Sequence, residues 1–312
     1  MILYYLVILM FEYINLFEFP DFLNKYLELD ILKRLQKVGY FCGMDYASKD
    51  IYDFPIYISR YDHSLTTALL TYKYTKDKKA TIAALFHDIS TPCFSHVIDY
   101  MNKDFEEQES TEEKTEEILF NDLKLKELLK EDDIDVKDII EFKKYSVVDN
   151  NRPKLCADRI DGIILTSIAW TKELRIENIK EIINDIKVYT NEDNELELGF
   201  KTTEIALKVI RLNNIINEYC HSNYDTYMMM LLADITKYLL DNNIIIYNNL
   251  YTYNEDELIN ICKNYSLKDN NFKKLLNKFL YIKQNEIPNI EIPNIKNRYI
   301  EPLVNNKRII FK

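Results

Sequence analysis

The sequence predicts an all-α protein carrying a small β-hairpin and an additional C-terminal helical region. Three observations lead there. Apolar residues recur at helical spacing, as in Ile82, Leu85, Phe86 and Ile89. Only 4 glycines interrupt the 312 residues. One segment, Val188 to Phe200, instead alternates at period two: Glu195-Leu196-Glu197-Leu198 follows the turn-forming Asn191-Glu192-Asp193-Asn194.

In chain order, the apolar start Met1–Phe11 is too short to span a bilayer, which takes about 20 residues, and reads as a buried first element. A membrane anchor is the alternative. Helices are expected over Ser64–Thr75, with Leu65, Leu69 and Tyr72 on one face, and over Lys79–Ile89. Pro92 breaks the chain before a short helix restarts. Ser110-Thr111-Glu112-Glu113 has the form of a capping box opening a helix that runs to about Glu131. Pro153 suits the first turn of a helix ending near Trp170. Further helices fit Lys172–Ile186, Thr202–Asn223, Thr226–Leu240, Glu255–Tyr265 and Leu267–Ile282. Two closely spaced prolines, Pro288 and Pro293, predict an extended tail packed on the surface or on a partner. Two regions are expected: 1–190, with the candidate site, and 191–312, with the hairpin, C-terminal helices and tail packed on the first.

Bulk properties narrow the function classes. With 47% hydrophobic and 29% charged residues the chain is globular. Neither G-x-G-x-x-G nor G-x-x-x-x-G-K occurs, which excludes the Gly-rich phosphate loops. A formal charge of -11 argues against long nucleic acid and anionic membranes as partners, although a local basic pocket could still hold a phosphate. The 5 cysteines form no C-x-x-C and are odd in number, which favours reduced thiols and a cytoplasmic location.

Three of the 4 histidines fall in one stretch. His63 sits in Arg60-Tyr61-Asp62-His63-Ser64, and His87 in Leu85-Phe86-His87-Asp88. With Asp158 they make a set of imidazole and carboxylate donors suited to a hydrolytic divalent cation. Neighbouring helical residues diverge by about 100°, so His87 and Asp88 can share an ion only where they face a crevice between helices. A buried, hydrogen-bonded core histidine is the bland reading for any one of them; the set favours metal. The residues do not distinguish Mn, Fe, Mg, Co, Ni and Zn.

His96 and Asp99, spaced i, i+3, share one helix face, so the carboxylate can orient the imidazole as a phosphate ligand or general acid. Asp88 would join them in catalysis. Arg60 and Arg159 would bring guanidinium groups to a phosphate, with salt bridges to Asp62 or Asp161 as the alternative. Gln108-Glu109 could reach the site, and His221 is taken as structural.

These contexts resemble the HD-domain phosphohydrolase superfamily, named for its His-Asp doublet. Leu32 to Gly39, Ser59 to Leu65, Phe94-Ser95-His96 and Ala157-Asp158-Arg159-Ile160-Asp161 resemble, in the same order, its deoxynucleoside triphosphate triphosphohydrolase branch. The resemblance covers about residues 20 to 170 and implies an HD-domain helical bundle. It also implies His63, His87, Asp88 and Asp158 as metal ligands, His96 and Asp99 near the scissile phosphate, and Arg60 and Arg159 on phosphates. The members commonly oligomerise, which implies a homo-oligomer.

The chain departs from the branch at three places. Ser90-Thr91 replace the Gly-His after the doublet, Gln108-Glu109 replace a His-Glu pair, and Gly162 stands where an aromatic residue commonly meets the sugar or base. The implied activity is metal-dependent hydrolysis of a phosphate ester or anhydride in a nucleotide or other phosphorylated small molecule, including deoxynucleoside triphosphates. A nucleotide phosphomonoesterase or phosphodiesterase, and a nucleotide-sensing module without turnover, are the alternatives.

Overall fold

A computed structural model describes residues 9–310, so most of the apolar start lies outside the described residues. Leu9 and Met10 are buried, whereas Phe11 is exposed. The fold is mostly helical with one small sheet, the class the sequence predicts. Among the described residues no helix is long and apolar enough to cross a membrane.

The site rests on three helices. Helix α1 spans Arg60–Thr75 and starts about one turn before the Ser64 expected from hydrophobic periodicity, because Ser59 and Asp62 form a reciprocal capping box. Helix α2 spans Lys78–Phe86; Asp77 caps it by accepting from the Ala80 amide at 3.1 Å. It stops short of the Ile89 end expected, and His87 is its C-cap, with backbone still helical at φ -58° and ψ -36°. A short α3, Val97–Asn102, follows the Pro92 break.

The long helix expected from Ser110 is corrected to α4, Thr115–Asn121, and α5, Leu123–Glu131. Asp122 adopts extended backbone and caps α5 through the Leu125 amide at 2.7 Å, so a second capping residue wins over continuity. Ser110 instead donates its amide to Asp99 Oδ1 at 3.2 Å. After α6, Val136–Ile140, the chain reaches α7, Ala157–Ala169, four residues later than Pro153 suggests. The amides of Ala157 and Asp158 donate to the Val147 and Val148 carbonyls at 2.8 and 3.2 Å. Tertiary contact, not a local cap, satisfies the start of α7.

Helix α8, Ile176–Asp185, leads into β1, Ile186–Thr190, and β2, Leu196–Phe200. They pair antiparallel, with Val188 opposite Leu198, and the boundary expected at residue 190 falls inside this hairpin. The longer C-terminal helices are α9, Thr203–Cys220, α10, Asn223–Asp241, α11, Glu255–Ser266, and α12, Asn270–Tyr281. The hairpin grows into a four-stranded sheet: β3, Leu303–Val304, lies parallel to β2, and β4, Lys307–Arg308, pairs with β3. Two-residue strands carry no periodicity to read. Their only local sign is Asn305-Asn306, both at positive φ, the pattern of a tight hairpin turn.

The tail before β3 runs extended across the molecule. Its Lys296 amide donates to the Phe105 carbonyl at 2.9 Å, and its Arg298 amide to Asn217 Oδ1 at 2.7 Å. Arg308 grips the fully buried Glu197 of β2 through two nitrogens at 2.8 and 2.9 Å. A single buried apolar cluster includes residues from Leu9 to Val304.

Candidate metal centre

Helix α1 packs between α2 and α7, and each contributes to one cluster of donors. His63 lies in the first turn of α1 and is almost fully buried. Asp158 and Asp161 stand one turn apart on α7, so both face the same imidazole. Asp161 Oδ2 lies 2.7 Å from His63 Nδ1, and Asp158 Oδ1 lies 3.0 Å from Nε2. Asp161 also accepts from the Tyr13 hydroxyl at 2.6 Å and the Thr66 hydroxyl at 2.8 Å. Its position is therefore set from three sides. With the proton on Nδ1 shared with Asp161, Nε2 would be the nitrogen open to a metal.

His87, just past α2, is oriented by its own helix: Nδ1 donates to the Ala84 carbonyl at 2.7 Å. Its Nε2 is buried and reaches no hydrogen-bond partner. Asp158 Oδ1 lies 3.6 Å from that nitrogen and Asp88 Oδ1 3.9 Å. Asp88 Oδ2 lies 3.8 Å from His63 Nε2. Two ligand atoms bound about 2.1 Å from one ion sit roughly 3–3.5 Å apart, so these spacings are slightly wider than shared coordination and need only a small inward shift of the side chains. One donor atom from each of His63, His87 and Asp88 lies within 4.8 Å of the others.

The charges fit a cation as well. With neutral imidazoles, the carboxylates of Asp88, Asp158 and Asp161 face a single guanidinium, that of Arg60, 2.8 Å from Asp88. Burial disfavours a charged imidazole at His63, but the hydrogen bonds to Asp158 and Asp161 outweigh it and push the group up to about 10. Burial likewise opposes ionisation of Asp88, yet His87, Arg60 and His63 hold its carboxyl well below the usual range. Asp158 is depressed against the same burial by its contact with His63 and by neighbouring His87. A cluster that captures protons this strongly has an excess of negative charge, and the orphaned His87 nitrogen points to a ligand other than hydrogen.

Residues 60–164 match the HD domain family. The match covers about a third of the chain and includes His63, His87, Asp88 and Asp158. Over 168 residues it is 25% identical to the metal-dependent phosphohydrolase cns2 of Cordyceps militaris, covering 53% of this chain and 48% of that protein. Over 106 residues it is 29% identical to the uncharacterized protein YdhJ of Bacillus subtilis, covering 33% of this chain and 32% of that protein. The chain thus spans about half or less of the length of the relatives it matches.

The HD-domain centre opens on a cavity of about 810 Å³. His63, His87, Asp88 and Asp158 all line it, as do His96, Arg60 and Arg159. His96 Nδ1 lies 2.8 Å from Asp99 Oδ2, and Asp99 is fully buried. The two arginines are placed less simply than expected. Arg60 pairs with Asp88, not with Asp62 or Asp161, and its Nε donates to Ser95 Oγ at 3.2 Å. Asp62 is occupied by the helix cap and Asp161 by His63. Arg159 directs its guanidinium at Asp149 and at Asn150 and Lys154, bracing the turn that precedes α7.

Sequence reasoning missed Asp161 as the residue that orients His63; its i, i+3 spacing from Asp158 was the available signal. It also missed how the gap at Gly162 is filled. A Cβ there would come within 2.8 Å of the Tyr40 hydroxyl, so an aromatic ring from a distant segment occupies that space. Tyr52, Phe54 and Trp170 form a further aromatic wall. His221 lies apart, with Nδ1 donating to the Asn217 carbonyl at 2.7 Å.

Proposed function

We propose that this protein is a metal-dependent phosphohydrolase acting on a nucleotide. The observation that carries the reading is the convergence of His63, His87, Asp88 and Asp158 beside a cavity, with His87 Nε2 buried and unpartnered. A divalent ion held by these four side chains supplies Lewis acidity toward a phosphoryl oxygen and an acidified water. Asp161 holds His63 in the ligating tautomer, and Arg60 holds Asp88 while presenting positive charge to the cavity. His96, fixed through Nδ1 by Asp99, delivers a proton from Nε2 to the leaving oxygen. The aromatic wall of Tyr52, Phe54 and Trp170 supports a substrate with a stacking base.

The test combines metal analysis of the purified protein with hydrolysis of a broad nucleotide panel in Mn, Mg, Fe, Co, Ni and Zn. Turnover that Asp88→Ala abolishes is the expected result. An intact panel under every metal removes the proposal.

One observation favours a bond other than the one cut by triphosphohydrolases. Thr91, at the place of the family's histidine, is buried, and its carbonyl accepts from Arg34 at 2.6 Å, away from the cavity lining. It cannot take up a histidine's proton transfer, which favours a phosphomonoesterase or phosphodiesterase. Release of tripolyphosphate, pyrophosphate or orthophosphate distinguishes these activities.

A further inference from the structure

We propose that Arg152, Lys296 and Arg298 form an anion-binding subsite in the same cavity, which takes a second phosphate group of the substrate. The inference deepens the phosphohydrolase reading and rests on it for the identity of the anion. All three residues line the cavity that holds the HD-domain centre. They come from the turn before α7 and from the extended tail, some 140 residues apart in sequence.

Their partners are what set them apart. Arg152 donates to the Tyr299 carbonyl at 3.2 Å, and Lys296 to the Glu107 carbonyl. Arg298 donates to the Lys296 carbonyl at 3.2 Å and to Gln108 Oε1 at 2.6 Å. Every one of these acceptors is neutral. Among the described residues no carboxylate forms an ion pair with any of the three, whereas Arg60, Arg159 and Arg308 each have one. In a chain with 51 acidic and 40 basic residues, a cavity cluster of unpaired cations runs against the overall charge.

Such a cluster is unfavourable without an anion, because half-buried like charges repel where water screens them poorly. Burial and mutual repulsion both disfavour the charged forms. Burial, with Arg159 and Arg298 adding to it, pushes Arg152 down to about 10. Burial and then Arg152 and Arg298 lower Lys296, although Glu109 and Glu107 pull the other way. An oxyanion among them offsets the mutual repulsion of the three cations. Two guanidinium forks and an ammonium suit the several oxygens of a phosphate group. With the HD-domain centre at one side of the cavity, the arrangement selects substrates bearing at least two phosphate groups, or a phosphate remote from the one attacked.

The competing explanation is mechanical: the three side chains clip the tail in place through backbone carbonyls. The test therefore reads ligand response as well as stability. Inorganic tripolyphosphate and pyrophosphate are titrated into the full-length chain by calorimetry and by thermal shift. The proteins compared are wild type, Asp88→Ala, Lys296→Gln and Arg298→Gln. Tripolyphosphate is expected to raise the melting temperature of wild type and to bind Asp88→Ala still. Lys296→Gln and Arg298→Gln should each weaken it about tenfold or more.

Binding lost in Asp88→Ala but kept in the two tail variants would put the phosphates on the metal centre and overturn the subsite. Absence of any effect on wild type would overturn it too. If Arg298→Gln fails to fold, Lys296→Gln decides, since its one mapped bond is to a carbonyl. Nucleotide turnover whose KM ignores the tail variants would refute the subsite and leave the hydrolase standing. Tail-dependent tripolyphosphate binding without turnover would do the reverse.

Discussion

Asp161→Asn is the sharpest perturbation of the metal centre, because it keeps the shape of a fully buried side chain and removes its charge. The carboxylate accepts from His63 Nδ1, Tyr13 and Thr66 at 2.7, 2.6 and 2.8 Å. An asparagine retains one carbonyl oxygen and turns an amide donor toward a group that itself donates. Losing one charge-assisted bond and opposing two donors costs about 2–4 kcal/mol. Unfolding entropy of about 2.1 cal/mol/K per residue makes 1 kcal/mol worth roughly 1.5 °C in a chain of this length, so Tm should fall by about 3–6 °C. The metal effect is separate. With the His63 tautomer no longer enforced, affinity should drop about 10–100-fold.

Tyr13→Phe provides the control, since it removes one donor to the same carboxylate and leaves the His63 contact in place. It should lower Tm while changing metal affinity by less than about threefold. Both are measured by competition against a chelator and by scanning calorimetry. An Asp161→Asn protein that loses stability but binds metal as tightly as wild type would refute the orienting role of Asp161.

Four further outcomes follow from the same coordinates. Replacing Asp99 with Asn, which weakens the hold on His96 Nδ1, should lower kcat about 10²-fold or more with little change in bound metal, as read by steady-state kinetics and metal analysis. Burial, helped by neighbouring Asp45, pushes the fully buried Glu255 up to about 8 from an ordinary value near 4.5. The folded protein therefore holds a proton that the unfolded chain releases, and stability contributed by the neutral form falls as pH rises from about 5 to 8. Glu255→Gln should gain on wild type by about 1.4 kcal/mol per pH unit across that window in urea denaturation, and a constant difference would contradict the assignment. Arg308→Gln leaves Glu197 charged and buried; a loss of about 3–5 kcal/mol is expected, and a thermal melt within 1 °C of wild type would be inconsistent with that pair. Gly162→Ala forces the Tyr40 hydroxyl to move, so KM for the nucleotide should rise with metal binding unchanged; equal KM values would show that Tyr40 takes no part.

Much of the metal centre was legible because its residues carry strong local context. His63 follows a capped helix start, His87-Asp88 closes a clean apolar stripe, and Asp158 opens another helix. The helix pattern was legible for the same reason, since periodicity and caps are properties of adjacent residues. Where two local signals competed, reading failed: Asp122 ended a helix that the Ser110 motif seemed to open, and Pro153 marked a turn, not a first helical residue. Glu255 opens α11 as an acidic first-turn residue, yet it is buried, with one oxygen accepting from the Phe94 amide at 3.0 Å and the other unpartnered.

By itself, then, the sequence determined the mainly helical class and the supply of metal-ligand side chains, because spacing along the chain dictates which faces those residues occupy. The tertiary structure alone decided the rest. It brought Asp161 against His63, turned the Arg159 guanidinium to the Asp149 turn, and laid a tail with two cations beside Arg152. It also added β3 and β4 to the hairpin through strands of two residues each. The physical reason is common to most of these. They depend on partners far apart in the chain, such as His63 with Asp161 or β2 with β3, where no periodicity or cap records the partner. Such pairings are selected only when the whole core closes and every buried charge must find a neighbour.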